Sequence, residues 1–164
     1  MLTGIAASGR TPYVMGAVAH ARQMGAKTIG ISCTPNSELA RAVEFPITPL
    51  PGPEAITGST RMKAGTATKM VLNMLSTGAF IRMGYVYGNL MVNVQAKNAK
   101  LVDRARRIIV EATGVPTDRA MDLLALAESD VRLAILIAKT DVSPEEARRR
   151  LMAAEGNLAK ALHG

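Results

Sequence analysis

The stretch from Gly52 to Lys69 separates two regions of the chain that have different hydrophobic patterns. Before it, short apolar runs alternate with segments of helical spacing, and after it apolar residues recur mainly at helical spacing. The stretch is rich in Gly, Pro, Ser and Thr and runs into a helix that we predict to begin at Met62. We expect Ser59 or Thr60 to cap that helix, because a hydroxyl oxygen accepts hydrogen bonds from the free N–H groups of a first turn.

Two cations are placed unusually at this predicted helix start. Arg61 and Lys63 fall in or next to the first turn, where the helix dipole disfavours positive charge. Free N–H groups, hydroxyls and two cations together suit an anion, most simply a phosphate. The alternative is a solvated helix start whose cations pair with distant carboxylates. From the residues alone, the anion site and the solvated helix start have about equal weight.

The region before this stretch predicts a parallel α/β sheet with the order β-α-β-α-β, because buried runs alternate with helices and turn residues. Its third strand is expected at a sheet edge, since Pro46 cannot donate to a neighbouring strand. The predicted strands and helices are Gly4–Ala7, Pro12–Met24, Thr28–Cys33, Asn36–Val43 and Phe45–Thr48.

A second candidate anion site follows the first predicted strand. Parallel sheets bind ligands at the carboxyl ends of their strands, and the loop there contains Ser8, Gly9, Arg10 and Thr11. Backbone N–H groups, two hydroxyls and a guanidinium can surround a phosphate, with Pro12 opening the helix behind them. The alternative is an ordinary strand-to-helix turn. No nucleotide is implied, because the dinucleotide and P-loop glycine patterns are absent.

Three strands make a small parallel sheet, and the first of them begins almost at residue 1. Parallel sheets need cover on both faces. We therefore expect either that the chain lacks its beginning or that another chain completes the sheet.

The net charge of +7 is concentrated in the loop-rich half, since residues 1–90 hold eight Lys or Arg and three Asp or Glu. Without aromatic platforms or zinc-finger spacing, this distribution favours a small-anion site over nucleic acid. The single cysteine, Cys33, excludes an internal disulfide and favours a reducing compartment. No apolar run has the length of a membrane span and no signal peptide is visible. We therefore expect a cytoplasmic protein without a membrane or nucleic-acid partner.

The region after the central stretch predicts helices at 62–84 and 97–113, followed by an internal repeat. A shift of 27 positions superposes apolar and capping residues without a gap, and each copy predicts two short helices packed as a pair. The matched positions are Thr113, Val115, Ala120, Leu124, Ala127, Glu128 and Ala134 with Thr140, Val142, Ala147, Leu151, Ala154, Glu155 and Ala161.

The run from Gly52 to Thr66 closely resembles the signature shared by N-acetylmuramic acid 6-phosphate etherases and glucokinase regulatory proteins. The resemblance covers essentially the whole chain. Four further runs resemble the bacterial etherases, namely Gly4–Val14, Gly30–Cys33, Val71–Thr77 and Tyr87–Val92.

The resemblance implies an α/β fold, the C-terminal part of a SIS-type (sugar isomerase) parallel α/β sandwich followed by an all-helical C-terminal region. We expect residues 1–95 to form a partial SIS domain with the signature loop and long helix. Residues 96–164 would form the helical region with the 27-residue repeat. The resemblance also implies a homodimer with active sites near the subunit interface, and no metal or organic cofactor.

The implied reaction is that of a carbon–oxygen lyase in cell-wall sugar recycling. It cleaves the lactyl ether of N-acetylmuramic acid 6-phosphate to N-acetylglucosamine 6-phosphate and D-lactate. In the open-chain sugar the C1 aldehyde acidifies the C2 proton; a base removes it, lactate leaves C3 with acid assistance, and water adds. The alternative implied by the same signature is a non-catalytic sugar-phosphate-binding regulator of the glucokinase regulatory type.

The resemblance assigns sugar-phosphate binding to two clusters and no catalytic residue to this chain. The family's catalytic glutamates lie ahead of the part that matches Gly4, so the chain alone is expected to be inactive. Glu54 belongs to the signature loop and is expected to have a structural role. The usual first loop has a serine where this chain has Ala6. The expected binding residues are Ser8, Gly9, Arg10 and Thr11 together with Ser59, Thr60, Arg61 and Lys63.

Overall fold

The computed structural model describes residues 1–163, which fall into two compact units, Met1–Ser76 and the chain from Thr77 onward. The described part is α/β, with a three-stranded parallel sheet, a two-stranded hairpin and eight helices. In chain order the elements are β1 (Leu2–Ile5), α1 (Pro12–Gln23), β2 (Thr28–Ile31), α2 (Glu38–Ala42), β3 (Phe45–Ile47), α3 (Lys63–Arg82), β4 (Val86–Tyr87), β5 (Leu90–Met91), α4 (Ala99–Thr113), α5 (Thr117–Leu126), α6 (Val131–Thr140), α7 (Pro144–Ala153) and α8 (Leu158–His163).

The first unit confirms the predicted β-α-β-α-β order and its parallel sheet. The strands lie in the order β1-β2-β3, and the register aligns Ile5 with Ile31 and Ile31 with Ile47. The strand that contains Pro46 is therefore at an edge, as its missing N–H requires.

One face of this sheet is closed by α1 and α2 because two strand glycines admit large side chains. A Cβ added to Gly4 would lie 2.9 Å from Val14 Cγ1, and one added to Gly30 would lie 2.8 Å from Val43 Cγ2. Leu39 lies close to both glycines and is fully buried. These small-to-large contacts form the core of the unit.

The first strand differs from the prediction of a buried run over Gly4–Ala7. It spans Leu2–Ile5 and lies at the other edge of the sheet, where it pairs only with β2. Side chains alternate between the faces of a strand, so Ile5 points away from the helices, and it is 40% exposed. Phe45 on the same face is 47% exposed, which means that this face of the sheet is incompletely covered.

The helix after the central stretch begins at Lys63, one residue later than predicted, and ends at Arg82. The apolar positions predicted at helical spacing do not form a core, because only Val71 among them is buried. Met70, Met74 and Ile81 are each about half exposed or more. The apolar stripe of α3, formed by Met70, Val71, Met74 and Ile81, is thus largely exposed.

The second unit contains a short hairpin between α3 and α4. β4 and β5 form an antiparallel hairpin in which Val86 pairs with Met91 and Tyr87 with Leu90. Gly88 supplies the turn with φ +59°, a conformation that costs glycine little.

The two copies of the 27-residue repeat have equivalent backbone features. Helices α5 and α6 begin at Thr117 and Val131, and α7 and α8 begin 27 residues later at Pro144 and Leu158. The turn within each copy holds a glutamate at positive φ, 51° in the first copy and 54° in the second. The caps are equivalent as well, since Asp130 accepts from two N–H groups of α6 and Asn157 accepts from Lys160 N.

The second unit is built around α6, which is buried at most positions and packs against α4, α5, α7 and α8. Helix α4 confirms the predicted amphipathic helix and ends at Gly114 in the left-handed conformation. The proposed domain limits at residues 95 and 96 stay a prediction. No helix among residues 1–163 has both the length and the apolar character needed to cross a membrane.

Candidate functional site

The carboxyl ends of the three parallel strands meet at one edge of the first unit. The loop after β1 reaches the end of β2, because Ala7 O accepts from Cys33 N at 2.9 Å and from Thr34 Oγ1 at 3.1 Å. The end of β3 joins them through the 3.2 Å bond from Ser32 N to Ile47 O. This edge is where an open parallel sheet binds its ligands.

The Ser8–Thr11 loop lies on this edge with its polar side chains exposed. Gly9 forms the turn with φ +65°, donates to Ala6 O at 2.8 Å and accepts from Leu39 N at 3.0 Å. The side chains of Ser8, Arg10 and Thr11 are exposed and make no hydrogen bond within the described chain. Thr11 occupies the predicted N-cap position of α1, but its hydroxyl does not cap the helix. The three side chains are thus available to an anion.

A buried pair of hydroxyls, absent from the predicted site residues, supports this loop. Ser32 and Ser37 are 2.9 Å apart between their Oγ atoms, and both are buried. Ser37 also caps α2 by accepting from Ala40 N at 3.2 Å, and its side chain lies against Gly9. The sequence signal for this pair was a serine at the end of the predicted strand Thr28–Cys33 and another at the start of the predicted helix Asn36–Val43.

The start of α3 is capped by a carboxylate, which corrects the prediction that Ser59 or Thr60 caps it. Glu54 Oε2 accepts from Lys63 N at 2.9 Å, and its Oε1 accepts from Ala64 N at 3.0 Å. A carboxylate satisfies two free N–H groups and places negative charge at the positive end of the helix dipole, which one hydroxyl cannot do. The structural role expected of Glu54 is therefore confirmed.

The hydrogen bonds to Glu54 also lower the basicity of its carboxylate. The bond from Ala64 N, and then that from Lys63 N, lower the pKa of the Glu54 carboxyl, partial burial opposes them, and the Lys63 ammonium adds to the lowering. A carboxyl with a lowered pKa is a weaker base. Glu54 is thus poorly suited to remove a proton from carbon.

The remaining residues of the second predicted cluster surround this capped start. Thr60, Arg61 and Lys63 are exposed and Ser59 is half-buried. Within residues 1–163 none of their side chains takes part in a hydrogen bond or an ion pair, in contrast to Arg106 and Arg148 of the second unit. Among residues 1–163, the carboxylate charge that acts on this helix start is therefore that of Glu54, which interacts with the Lys63 ammonium.

Cys33 connects the two predicted clusters. Its N–H reaches the loop after β1, and its Sγ lies 3.8 Å from Ala64 O and 4.0 Å from Thr68 Oγ1 in the first turns of α3. The structure thus places both clusters along the same edge of the first unit. Across the described residues, no group of three or more His, Cys, Asp or Glu side chains is arranged to hold a metal ion.

The whole chain is similar to curated bacterial proteins named N-acetylmuramic acid 6-phosphate etherase. It is 55% identical over 164 residues to that of Erwinia tasmaniensis, and 52% identical over 164 residues to that of Pectobacterium atrosepticum. It is also 55% identical over 162 residues, or 99% of the chain, to that of Yersinia pestis. The chain spans about half the length of these relatives, 54% of the first two and 55% of the third. No family model matches the chain.

Proposed function

We infer that this chain belongs to the family of N-acetylmuramic acid 6-phosphate etherases and supplies the sugar-phosphate-binding part of such an enzyme. The observation that carries the proposal is the similarity of the chain, over all 164 residues, to proteins of that name. We also propose the properties that go with the family: a SIS-type sheet in the complete protein, a homodimer and a cytoplasmic location.

The geometry of the strand ends supports a role in binding. Exposed hydroxyls and the guanidinium of Arg10 border one loop, while Arg61 and Lys63 border the other. Hydrogen bonds from cations and hydroxyls to phosphate oxygens are strong and charge-assisted. The Ser8–Thr11 loop and the cluster of Ser59, Thr60, Arg61 and Lys63 hold the sugar 6-phosphate in this proposal.

The chemistry of lactate release needs a base at C2 and an acid at the lactyl oxygen. Glu54 does not provide the base, because its two oxygens accept hydrogen bonds from backbone N–H groups that lower its pKa. We therefore propose that the proton transfers use residues of the family that have no counterpart in this chain. The chain alone binds the sugar phosphate in this proposal and does not cleave it.

A chimaera tests the proposed reaction. The part of the Erwinia tasmaniensis etherase outside the matched 54% would be joined to this chain, and D-lactate release from N-acetylmuramic acid 6-phosphate would be measured. We expect the chimaera to release D-lactate and this chain alone to release none. The Erwinia tasmaniensis part alone is the second control. A folded chimaera that yields no lactate would overturn the enzyme assignment. If it binds sugar 6-phosphates without turnover, the regulatory alternative is favoured.

Arg61→Ala in the active chimaera should lower kcat/KM for lactate release by about 10- to 100-fold, because a hydrogen bond to a charged group contributes about 1.5–3 kcal/mol. Lys69→Ala is the matched control, since Lys69 is an exposed cation on α3, the helix that follows the loop. The control should stay within about twofold, as expected for a surface change. Equal effects of the two changes would mean that Arg61 acts only through the general positive charge.

A further inference from the structure

The segment between Glu54 and α3 has few internal contacts. Residues 55–58 and 60–62 are exposed. Within the described chain, one backbone hydrogen bond joins two residues of the segment 55–62, from Ser59 N to Ile56 O at 3.1 Å. The segment contains Ser59, Thr60 and Arg61, which are the proposed phosphate ligands. A loop so weakly bonded has many conformations unless its ends are fixed.

Glu54 fixes those ends. Its carboxylate closes the loop onto α3 through two full-length hydrogen bonds, at 2.9 Å to Lys63 N and 3.0 Å to Ala64 N. Both bonds are charge-assisted, which makes them stronger than bonds between neutral groups. The same bonds lower the pKa of the Glu54 carboxyl, so the charged form that accepts both of them is favoured.

The same two bonds make the helix N-terminus unavailable to a substrate anion. Lys63 N and Ala64 N are among the free N–H groups that would otherwise attract a phosphate, and here each already donates to Glu54. A phosphate arriving there would have to displace a half-buried carboxylate and would then face its negative charge. Anion binding in this cluster therefore falls to the side chains of the loop.

We propose that Glu54 is a positioning residue that holds Ser59, Thr60 and Arg61 ready for the sugar phosphate and reserves the start of α3 for itself. The inference rests on the proposed function, since it assumes that this loop binds the substrate. It assigns the phosphate contacts to hydroxyls and a guanidinium, and it excludes the helix N–H groups of Lys63 and Ala64 from them.

Titration of the ¹⁵N-labelled chain with N-acetylglucosamine 6-phosphate, followed by amide NMR, tests the proposal. Glu54→Ala should weaken the apparent affinity by about tenfold, because the loop must then be ordered at binding. The amide chemical-shift changes caused by the ligand should become smaller at residues 59–61, while those of the Ser8–Thr11 loop remain. Glu54→Gln keeps one acceptor oxygen, so its affinity should lie between those of the unchanged chain and Glu54→Ala. Unphosphorylated N-acetylglucosamine is the ligand control.

Asn98→Ala is the control for loss of a helix cap. Asn98 Oδ1 caps α4 by accepting from Leu101 N at 2.9 Å, and its loss should change the affinity by less than about twofold. Tighter binding by Glu54→Ala would show that Glu54 only blocks an anion site at the helix start, and unchanged binding would show that it acts only on stability. Either result would overturn the inference about Glu54 and leave the proposed function in place. No response from the unchanged chain would overturn the proposed function and the inference with it.

Discussion

Leu39→Ala should unfold the first unit and leave the second folded. The buried cluster of the first unit contains only four residues, Ala6, Val18, Leu39 and Val43. Leu39 is fully buried and fills the space above Gly4 and Gly30. Truncation of such a residue costs about 2–5 kcal/mol through lost transfer energy and the remaining cavity. A domain with so small a core has little stability to lose.

Hydrogen exchange measured by mass spectrometry separates the two units. Peptides from residues 1–76 should lose their protection in Leu39→Ala, whereas peptides from α4 to α7 should exchange as in the unchanged chain. Leu136→Ala is the matched control, because Leu136 is also fully buried but belongs to a cluster of nineteen buried residues. It should lower protection in the second unit only. Retained protection of β1 and β2 in Leu39→Ala would contradict the assignment of the first core.

Gly9→Ala should displace the Ser8–Thr11 loop and destabilise the first unit by about 2–4 kcal/mol, from left-handed strain and overpacking together. Gly9 has φ +65°, and a Cβ there would overlap the Cβ and Oγ of Ser37. Ser37 cannot move freely, because it caps α2 and bonds to the buried hydroxyl of Ser32. The chain must therefore shift at the loop proposed to bind phosphate.

Urea unfolding of Gly25→Ala provides the comparison for this change. Gly25 has a similar φ of +74° but no atom within 4 Å of an added Cβ, so it reports the backbone strain alone, about 1 kcal/mol. The double change Gly9→Ala with Ser37→Gly removes the overlapping Cβ, and it should recover part of the loss because glycine is a tolerable N-cap. Equal destabilisation by Gly9→Ala and Gly25→Ala would show that the contact with Ser37 is unimportant.

The apolar stripe of α3 shows where periodicity is insufficient. Met70, Val71, Met74 and Ile81 have helical spacing and do lie on one helix, so the secondary structure was predictable. Their burial was not, because spacing identifies an apolar face but not what covers it. Only Val71 is buried within this chain.

The candidate site likewise contains features that were predictable from the sequence and features that were not. The turn at Gly9, the start of α1 at Pro12 and the cap at Ser37 follow local rules about left-handed turns and first-turn residues. The pairing of Ser37 with Ser32 and the link from Cys33 to α3 join residues whose sequence gives no indication of contact. Such contacts depend on where loops close in space.

The alternation of strands and helices in the first unit and the helix pairs of the second were predictable from local sequence. Those features follow from hydrophobic period and from turn residues, which act over a few positions. The group that caps α3 was not predictable in this way, because it depends on how the chain folds in space. A hydroxyl next to the helix start was the local choice, but Glu54, nine residues before Lys63, supplies the acceptor instead. The folded loop brings a charged, two-oxygen acceptor within 3.0 Å of two free N–H groups, and that pairing is stronger than any single adjacent hydroxyl can offer.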